Sequence, residues 1–271
     1  MDDVFMAAGG RKTVLMGADP SDPANIVWNF GLTPKTEEVD NLIRSKPSLH
    51  AQFPAMAGKW DGKATVNHWD AIRKVLGDKA EDLIQYQPRG TCGGRAGSFT
   101  VDAVQCVLIA SGKRAKFKRS SHAFLYWQAR KKYGMDRGNP NDEGSDGVAS
   151  GSIPEILTTV GVDTRDETGD VNGYGAGSDN LACQWGAGRI DSSLARQLEQ
   201  YATDNVITEW SPVTSAQELA DGIAAGGIGI GSDMQGFTMS RDSAGFCRPT
   251  GQWAHYQVRV SVGVWGGRKG F

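Results

Sequence analysis

The fold is indicated by the stretch Gln85-Tyr86-Gln87-Pro88-Arg89-Gly90-Thr91-Cys92-Gly93-Gly94-Arg95-Ala96 and by the residues that follow it. Beyond this stretch a set of residues recurs at helical spacing, namely Val101, Val104, Gln105, Leu108 and Ile109. The spacing predicts a helix that begins at or just after Cys92 and ends at Gly112. A helix N-terminus places positive potential at a thiol and so favours the nucleophilic thiolate. Cys92 is therefore a candidate nucleophile, in preference to a half-buried structural thiol.

Further helices, and then strands, are predicted toward the C-terminus. Helical spacing covers about residues 123–134, 152–161, 192–201 and 215–225. Ser152 stands where an N-cap is expected, and Ser215 with Glu218 has the spacing of a capping box. Residues 228–231 and 257–264 alternate as strands do, and His255 directly precedes the second of them. Helices followed by strands predict an α+β fold in two lobes.

Residues 1–84 carry fewer signals than the rest of the chain. One clear helix runs from Trp69 to Leu76 and is closed by Gly77. We therefore divide the chain into an N-terminal extension, residues 1–84, and a main domain, residues 85–271. The extension would act as a propeptide or an assembly arm.

The main domain resembles the papain-like cysteine peptidases, in particular divergent bacterial and phage members with a Gly-(Ser/Thr)-Cys core. The resemblance is carried by residues 85–96, by Trp253-Ala254-His255-Tyr256-Gln257-Val258, and by the helix-then-strand stretch 213–230 that precedes His255. It implies a papain-like fold in which a helical lobe is followed by an antiparallel β-sheet or barrel lobe. It also implies roles for three residues: Cys92 as the nucleophile, His255 as the general base, and Gln87 as an oxyanion-hole donor beside the Cys92 N–H.

The implied activity is that of a thiol protease, a hydrolase that cleaves peptide bonds through a thioester on Cys92. The substrate would lie between the lobes, with the turn at residues 143–147 near one wall. Family members carry an Asn or Asp beyond the His, and none stands between His255 and Phe271. The alternatives are therefore an inactive papain-like structural or interaction protein, for example a phage virion component, and a hydrolase of peptidoglycan peptides.

Composition narrows the range of partners. The 271 residues include 29 Lys and Arg against 31 Asp and Glu, a formal charge of -2 that creates no global field for nucleic acid or an anionic membrane. The apolar runs are too short to span a bilayer, and Met1-Asp2-Asp3 does not begin a signal peptide. We expect a peptide or protein substrate, with other virion or assembly proteins as further partners, no nucleic-acid or membrane partner, and a cytoplasmic or virion location.

The remaining cysteines and histidines give no further site. The four cysteines are sparse and none has metal-ligand spacing, which predicts reduced thiols and no metal or other cofactor. Cys106 lies on the apolar face of the helix after Cys92 and is predicted to be a core residue. His50, His68 and His122 lack companions at triad or metal spacing and are interpreted as surface or helix-packing residues, with His122 close in sequence to the basic run 113–118.

Overall fold

The computed structural model describes residues 11–14, 26–29, 32–33, 37–84, 87–142, 146–168, 178–204 and 206–271. The helices are α1 (Glu37–Ser45), α2 (Leu49–Gln52), α3 (His68–Leu76), α4 (Cys92–Ala110), α5 (His122–Lys132), α6 (Ser152–Thr159), α7 (Arg165–Thr168), α8 (Asp179–Gly186), α9 (Ser192–Ala202) and α10 (Ala216–Ala224). The strands are β1 (Arg11–Val14), β2 (Ile26–Asn29), β3 (Leu32–Thr33), β4 (Val66–Asn67), β5 (Val148–Ala149), β6 (Gly229–Arg241), β7 (Cys247–Arg259), β8 (Ser261–Trp265) and β9 (Arg268–Gly270).

The helix predicted after Cys92 is confirmed as α4, which begins at Cys92 and is followed by Gly112 with φ of 74°. The predictions of α3, α5, α9 and α10 are also confirmed within a few residues. The predicted cap of α6 is wrong by one residue. Gly151, with φ of 83°, is its N-cap, because the Ser152 hydroxyl donates to the Ala149 carbonyl at 2.7 Å instead of capping the helix.

Only half of the predicted capping box forms at α10. The Ser215 hydroxyl accepts from the Glu218 N–H at 3.1 Å, as expected. The Glu218 carboxylate does not return to Ser215. It accepts instead from the Ser48 hydroxyl at 2.6 Å and from the backbone and hydroxyl of Thr214 at 2.7 Å each. The buried carboxylate therefore ties the segment around Ser48 to α10.

The largest sheet has the open strand order β1-β2-β7-β6, in which β6 and β7 form a long antiparallel pair and β2 runs parallel to β7. A second sheet has the order β4-β8-β9. The strand predicted at residues 257–264 is two strands, since β7 ends at Arg259 and β8 begins at Ser261. His255 consequently lies inside β7 instead of ahead of it.

The fold class α+β is confirmed by this mixture of helices and mainly antiparallel sheet. The sheets described are open, so the predicted barrel is not confirmed. The strands of the N-terminal part, β1 to β4, were not predicted from the sequence. No described helix is long and apolar enough to cross a membrane.

The main core lies between α4, α5, α6, α8, α9 and one face of β7. Helix α5 is buried along most of its length, and its Trp127 ring packs edge-on against that of Trp185 in α8, with ring centroids 6.2 Å apart. On β7, Ala254 and Tyr256 face this core. The strand that carries His255 is thereby held against the helix that begins at Cys92.

Residues 37–84 share core surface with the rest of the chain. Ile72 of α3 packs with Ala103 and Cys106 of α4, which confirms Cys106 as a core residue. Strand β4 pairs with β8, with Val66 opposite Val262. A domain boundary near residue 84 stays a prediction, and any separation there would expose these surfaces.

Candidate functional site

Cys92 is the first residue of α4 and is fully buried. The two glycines after it allow neighbouring elements to come close. A Cβ on Gly93 would lie 2.3 Å from the Val148 side chain, and one on Gly94 would lie 2.5 Å from the His122 carbonyl oxygen. The first turn of α4 is therefore packed tightly between β5 and the start of α5.

The surroundings of Cys92 shift the pKa of its thiol in two opposite directions. The backbone near the sulfur, at Tyr256, Gly93 and Cys92, favours the thiolate and acts to lower the pKa of Cys92. Burial has the larger effect and raises the pKa of Cys92 to about 12. The thiol is thus protonated at neutral pH in this structure, although the start of a helix points at it.

His255 lies in β7 opposite Asp233 of β6 in the antiparallel register. Its neighbours Ala254 and Tyr256 are buried, whereas His255 is partly exposed, as expected for alternate residues of a strand. The Tyr256 hydroxyl donates to the Ala149 carbonyl at 3.0 Å, and Tyr256 packs in the same buried cluster as Cys92. The structure thus packs the residue next to His255 in sequence against the same core as Cys92.

Gln87, the candidate oxyanion donor, is buried five residues ahead of Cys92. Its side-chain amide donates to the Arg89 carbonyl at 2.7 Å, so that amide is engaged within its own loop. The role of Gln87 in an oxyanion hole stays a prediction, as does the pairing of Cys92 with His255. Gln85, the other glutamine of this stretch, lies outside the described residues.

The loop ahead of Cys92 is fixed by an ion pair that sequence analysis did not predict. Asp146 accepts from Arg89 through two bonds of 2.8 and 3.1 Å and from the Gly90 N–H at 3.3 Å. Both charged side chains are largely buried. Asp146 belongs to the acidic turn predicted to border the substrate cleft, and residues 143–145 of that turn lie outside the described part of the chain.

A second unpredicted carboxylate, Asp179, lies against the first turn of α4. The hydroxyl of Thr91 donates to its Oδ1 at 2.5 Å, and the guanidinium of Arg95 lies 3.0 Å from the same oxygen. His122 Nε2 is 3.4 Å from this oxygen. The only sequence signal was that Thr91 and Arg95 are four residues apart and so share a helix face.

Of the other histidines, His122 lies beside the first turn of α4, whereas His50 and His68 lie against α10. His50 Nε2 lies 3.0 Å from Asp221 Oδ2, and His68 Nε2 lies 2.8 Å from the Ile223 carbonyl oxygen, so both contact α10. His122 is fully buried, and burial lowers its pKa to about 4. Across the described ranges, no three His, Cys, Asp or Glu residues are grouped so that they could hold a metal ion.

Comparisons with known proteins give one similar structure. No family model matches the chain, and no curated protein matches it. The chain is similar to the crystal structure of xylellain, a cysteine protease from Xylella fastidiosa, with a TM-score of 0.46 and 15% sequence identity. The similarity covers 94% of this chain and 81% of that chain. A likeness of this degree leaves fold family and activity as proposals.

Proposed function

We propose that this protein is a papain-like thiol hydrolase that cleaves peptide bonds, with Cys92 as nucleophile and His255 as general base. The observation that supports the proposal is the contact between β7 and the start of α4. Cys92 packs in one buried cluster with Ala254 and Tyr256, the residues on either side of His255, and a Cβ on Gly93 would lie 3.4 Å from the Tyr256 ring. A thiol at a helix N-terminus and a histidine on the adjacent strand are two parts that thiol-dependent acyl transfer uses, and the proposal further requires the His255 imidazole to come within hydrogen-bond reach of the thiol.

The raised pKa of Cys92 sets the order of the proton steps. A thiol with a pKa of about 12 is almost entirely protonated at neutral pH, so it attacks only if a base removes its proton. In the proposed reaction the imidazole of His255 takes this proton while the sulfur bonds to the substrate carbonyl carbon. The imidazolium then protonates the leaving amine, and water hydrolyses the thioester with His255 again acting as base.

The developing oxyanion would be bound by the Cys92 backbone N–H and the Gln87 side-chain amide. The first of these points from the start of α4, where the N–H groups of a helix have no partner within the helix. Gln87 would have to release the Arg89 carbonyl in order to donate. Loss of one such donor typically slows acyl transfer by about 100-fold to 1000-fold.

The test is the rate of iodoacetamide alkylation of each cysteine between pH 5 and pH 10, in the wild type, Cys92→Ala and His255→Ala. Since burial alone would keep Cys92 inert at neutral pH, fast labelling of Cys92 at pH 7 that disappears in His255→Ala supports the proposal. Equal slow labelling of Cys92, Cys106 and Cys183 would overturn it. So would labelling of Cys92 that does not depend on His255.

Substrate class is tested separately with casein and purified peptidoglycan. Cleavage of casein that is absent in Cys92→Ala is the result expected of a peptidase. Release of peptides from peptidoglycan without digestion of casein would assign the same residues to cell-wall peptides instead. A reactive Cys92 with neither activity would restrict the proposal to acyl transfer on another substrate.

A further inference from the structure

We propose that Asp179 is a positioning residue that fixes the first turn of α4 and thereby the direction of the Cys92 N–H. The inference rests on the proposed function and adds a residue from a different helix to that site. Asp179 is the first residue of α8 and is 5% exposed. Its carboxylate does not contact the thiol, so it would act through Thr91 and Arg95.

Thr91 makes the first of two contacts between Asp179 and the start of α4. It is the N-cap of α4, yet its side chain does not cap that helix. Its hydroxyl donates to Asp179 Oδ1 at 2.5 Å, and its side chain is fully buried. The residue immediately before the nucleophile is thus bound to α8, and the peptide that joins Thr91 to Cys92 carries the N–H in question.

Arg95 makes the second contact. Its backbone N–H donates to the Thr91 carbonyl at 3.1 Å, which closes the first turn of α4. Its guanidinium binds the same Oδ1 of Asp179 through Nε and Nη2, each at 3.0 Å. One carboxylate oxygen therefore holds both ends of the turn that contains Cys92, and charge-assisted bonds of this kind are about twice as strong as neutral ones.

Helix α8, which carries Asp179, is itself rigidly placed. Gly186 at its end accepts from Arg130 of α5 at 2.6 Å, and Trp185 packs on Trp127. The N-terminal end of α8 is capped by the Ser178 hydroxyl. Asp179 is thus carried by a helix that is fixed against α5, and it connects the start of α4 to that helix.

The charged groups around Asp179 leave no uncompensated negative charge at its position. Arg95 carries one positive charge against the carboxylate, and His122 at the start of α5 is uncharged because burial opposes its protonation. Arg165 acts on His122 in the same direction as Arg95. The arrangement therefore holds the turn in place without adding a net negative charge near the thiol, which would oppose thiolate formation.

Loss of the contacts with Asp179 should slow acyl transfer more than it slows simple reactions of the thiol. A tetrahedral oxyanion needs its donors within a few tenths of an ångström, and a shift of about 1 Å can slow such a reaction by about 100-fold. Alkylation by iodoacetamide forms no oxyanion. Loosening the first turn should therefore slow acylation of Cys92 while leaving its alkylation nearly unchanged.

The experiment measures two rates in each variant: acylation by p-nitrophenyl acetate, from the burst of nitrophenolate, and alkylation by iodoacetamide. Thr91→Val removes the hydroxyl at nearly constant volume, and Asp179→Asn removes the charge that Arg95 binds. We expect acylation to fall by about 10-fold to 100-fold in both, while alkylation changes by less than about 3-fold. Thr91→Ser, which keeps the hydroxyl, should restore acylation.

Asp191→Asn is the matched control, because Asp191 caps α9 by accepting from the Ser193 and Leu194 N–H groups and is not bound to α4. It should leave both rates unchanged. Parallel loss of acylation and alkylation in Thr91→Val, or no loss of either, would overturn the positioning role while the proposed function stands. Wild-type protein that is alkylated but never acylated would also overturn it. Absence of selective, His255-dependent alkylation would instead reject the proposed function, and the positioning role with it.

Discussion

Gly94 should be intolerant of even one additional methyl group, because α4 and α5 meet at this residue. A Cβ at Gly94 would lie 2.5 Å from the His122 carbonyl oxygen, 2.8 Å from Tyr126 Cβ and 3.2 Å from the Tyr126 N. Two of these atoms belong to the backbone of α5 and cannot turn away as a side-chain tip can. Gly94→Ala therefore requires the two helices to separate.

The magnitude follows from two opposing contributions. Overpacking of a tight core typically costs about 1–3 kcal/mol, and the contact with backbone atoms places Gly94→Ala near the upper part of that range. Replacing Gly by Ala inside a helix returns up to about 1 kcal/mol. We expect a net loss of about 2 kcal/mol in the free energy of unfolding, or roughly 3–4 °C in Tm for a chain of this size.

Gly222→Ala is the matched control within α10. A Cβ there would meet Leu49 Cδ2 at 2.9 Å, and that atom is the tip of a flexible side chain. The gain in helix propensity should therefore dominate, and the stability should be unchanged or higher by up to about 1 kcal/mol.

The assay is urea unfolding followed by far-ultraviolet circular dichroism, with midpoints compared at equal slope. Gly94→Ala should unfold at lower urea than the wild type, and Gly222→Ala should not. If the two variants have the same midpoint, the close approach of α4 and α5 at Gly94 is wrong. In that case the tight packing around Cys92 would also have to be reconsidered.

Two further predictions concern buried polar groups. Burial lowers the pKa of His122 to about 4, below its unfolded value of about 6.5. The neutral side chain therefore makes its full contribution to stability above about pH 6.5, and this contribution is lost as the pH falls from there toward 4. The loss should reach about 3 kcal/mol, and urea midpoints should fall less steeply between pH 7 and pH 4.5 in His122→Asn; equal slopes would contradict this. Tyr126→Phe leaves the buried Gly147 N–H, now 2.7 Å from the Tyr126 hydroxyl, without its acceptor and should cost about 1–3 kcal/mol. The half-exposed Tyr201→Phe should change thermal stability by less than about 0.5 kcal/mol, and equal effects at the two tyrosines would refute the account.

Local signals in the sequence were sufficient for most helices. Helix α4 was predictable because its apolar spacing ends at Gly112, which adopts a positive φ after the last turn. The cap of α6 was predicted wrongly because a Ser is compatible both with the N-cap position and with the first helical position. In the structure Ser152 takes the second, and its hydroxyl donates to the Ala149 carbonyl. Which residue caps the helix depends on the path of the preceding chain, and the spacing of apolar residues does not indicate it.

Contacts between distant parts of the chain were not predictable. The parallel pair of β2 and β7 and the pair of β4 and β8 join segments whose patterns say only that a strand can form. The same limit applies to the site. Cys92 was recognisable from its own helix start, but neither Thr91 nor Arg95 indicates that Asp179 lies between them, because that carboxylate comes from α8.

The pairing of β4 with β8 has a consequence for how the chain reaches its native state. Val66 finds Val262 across roughly two hundred residues of intervening chain, and pairings of such length make folding slow. During synthesis, β4 has no β8 to pair with until residues 261–265 have left the ribosome, whereas α4 and α5 can already pack together. The apolar side chains of Trp60 and of Val66 in β4, which pack against Val262 in the folded protein, lack that cover over this interval. Until β8 and β9 are synthesised, this apolar surface of the incomplete chain is therefore prone to associate with other chains.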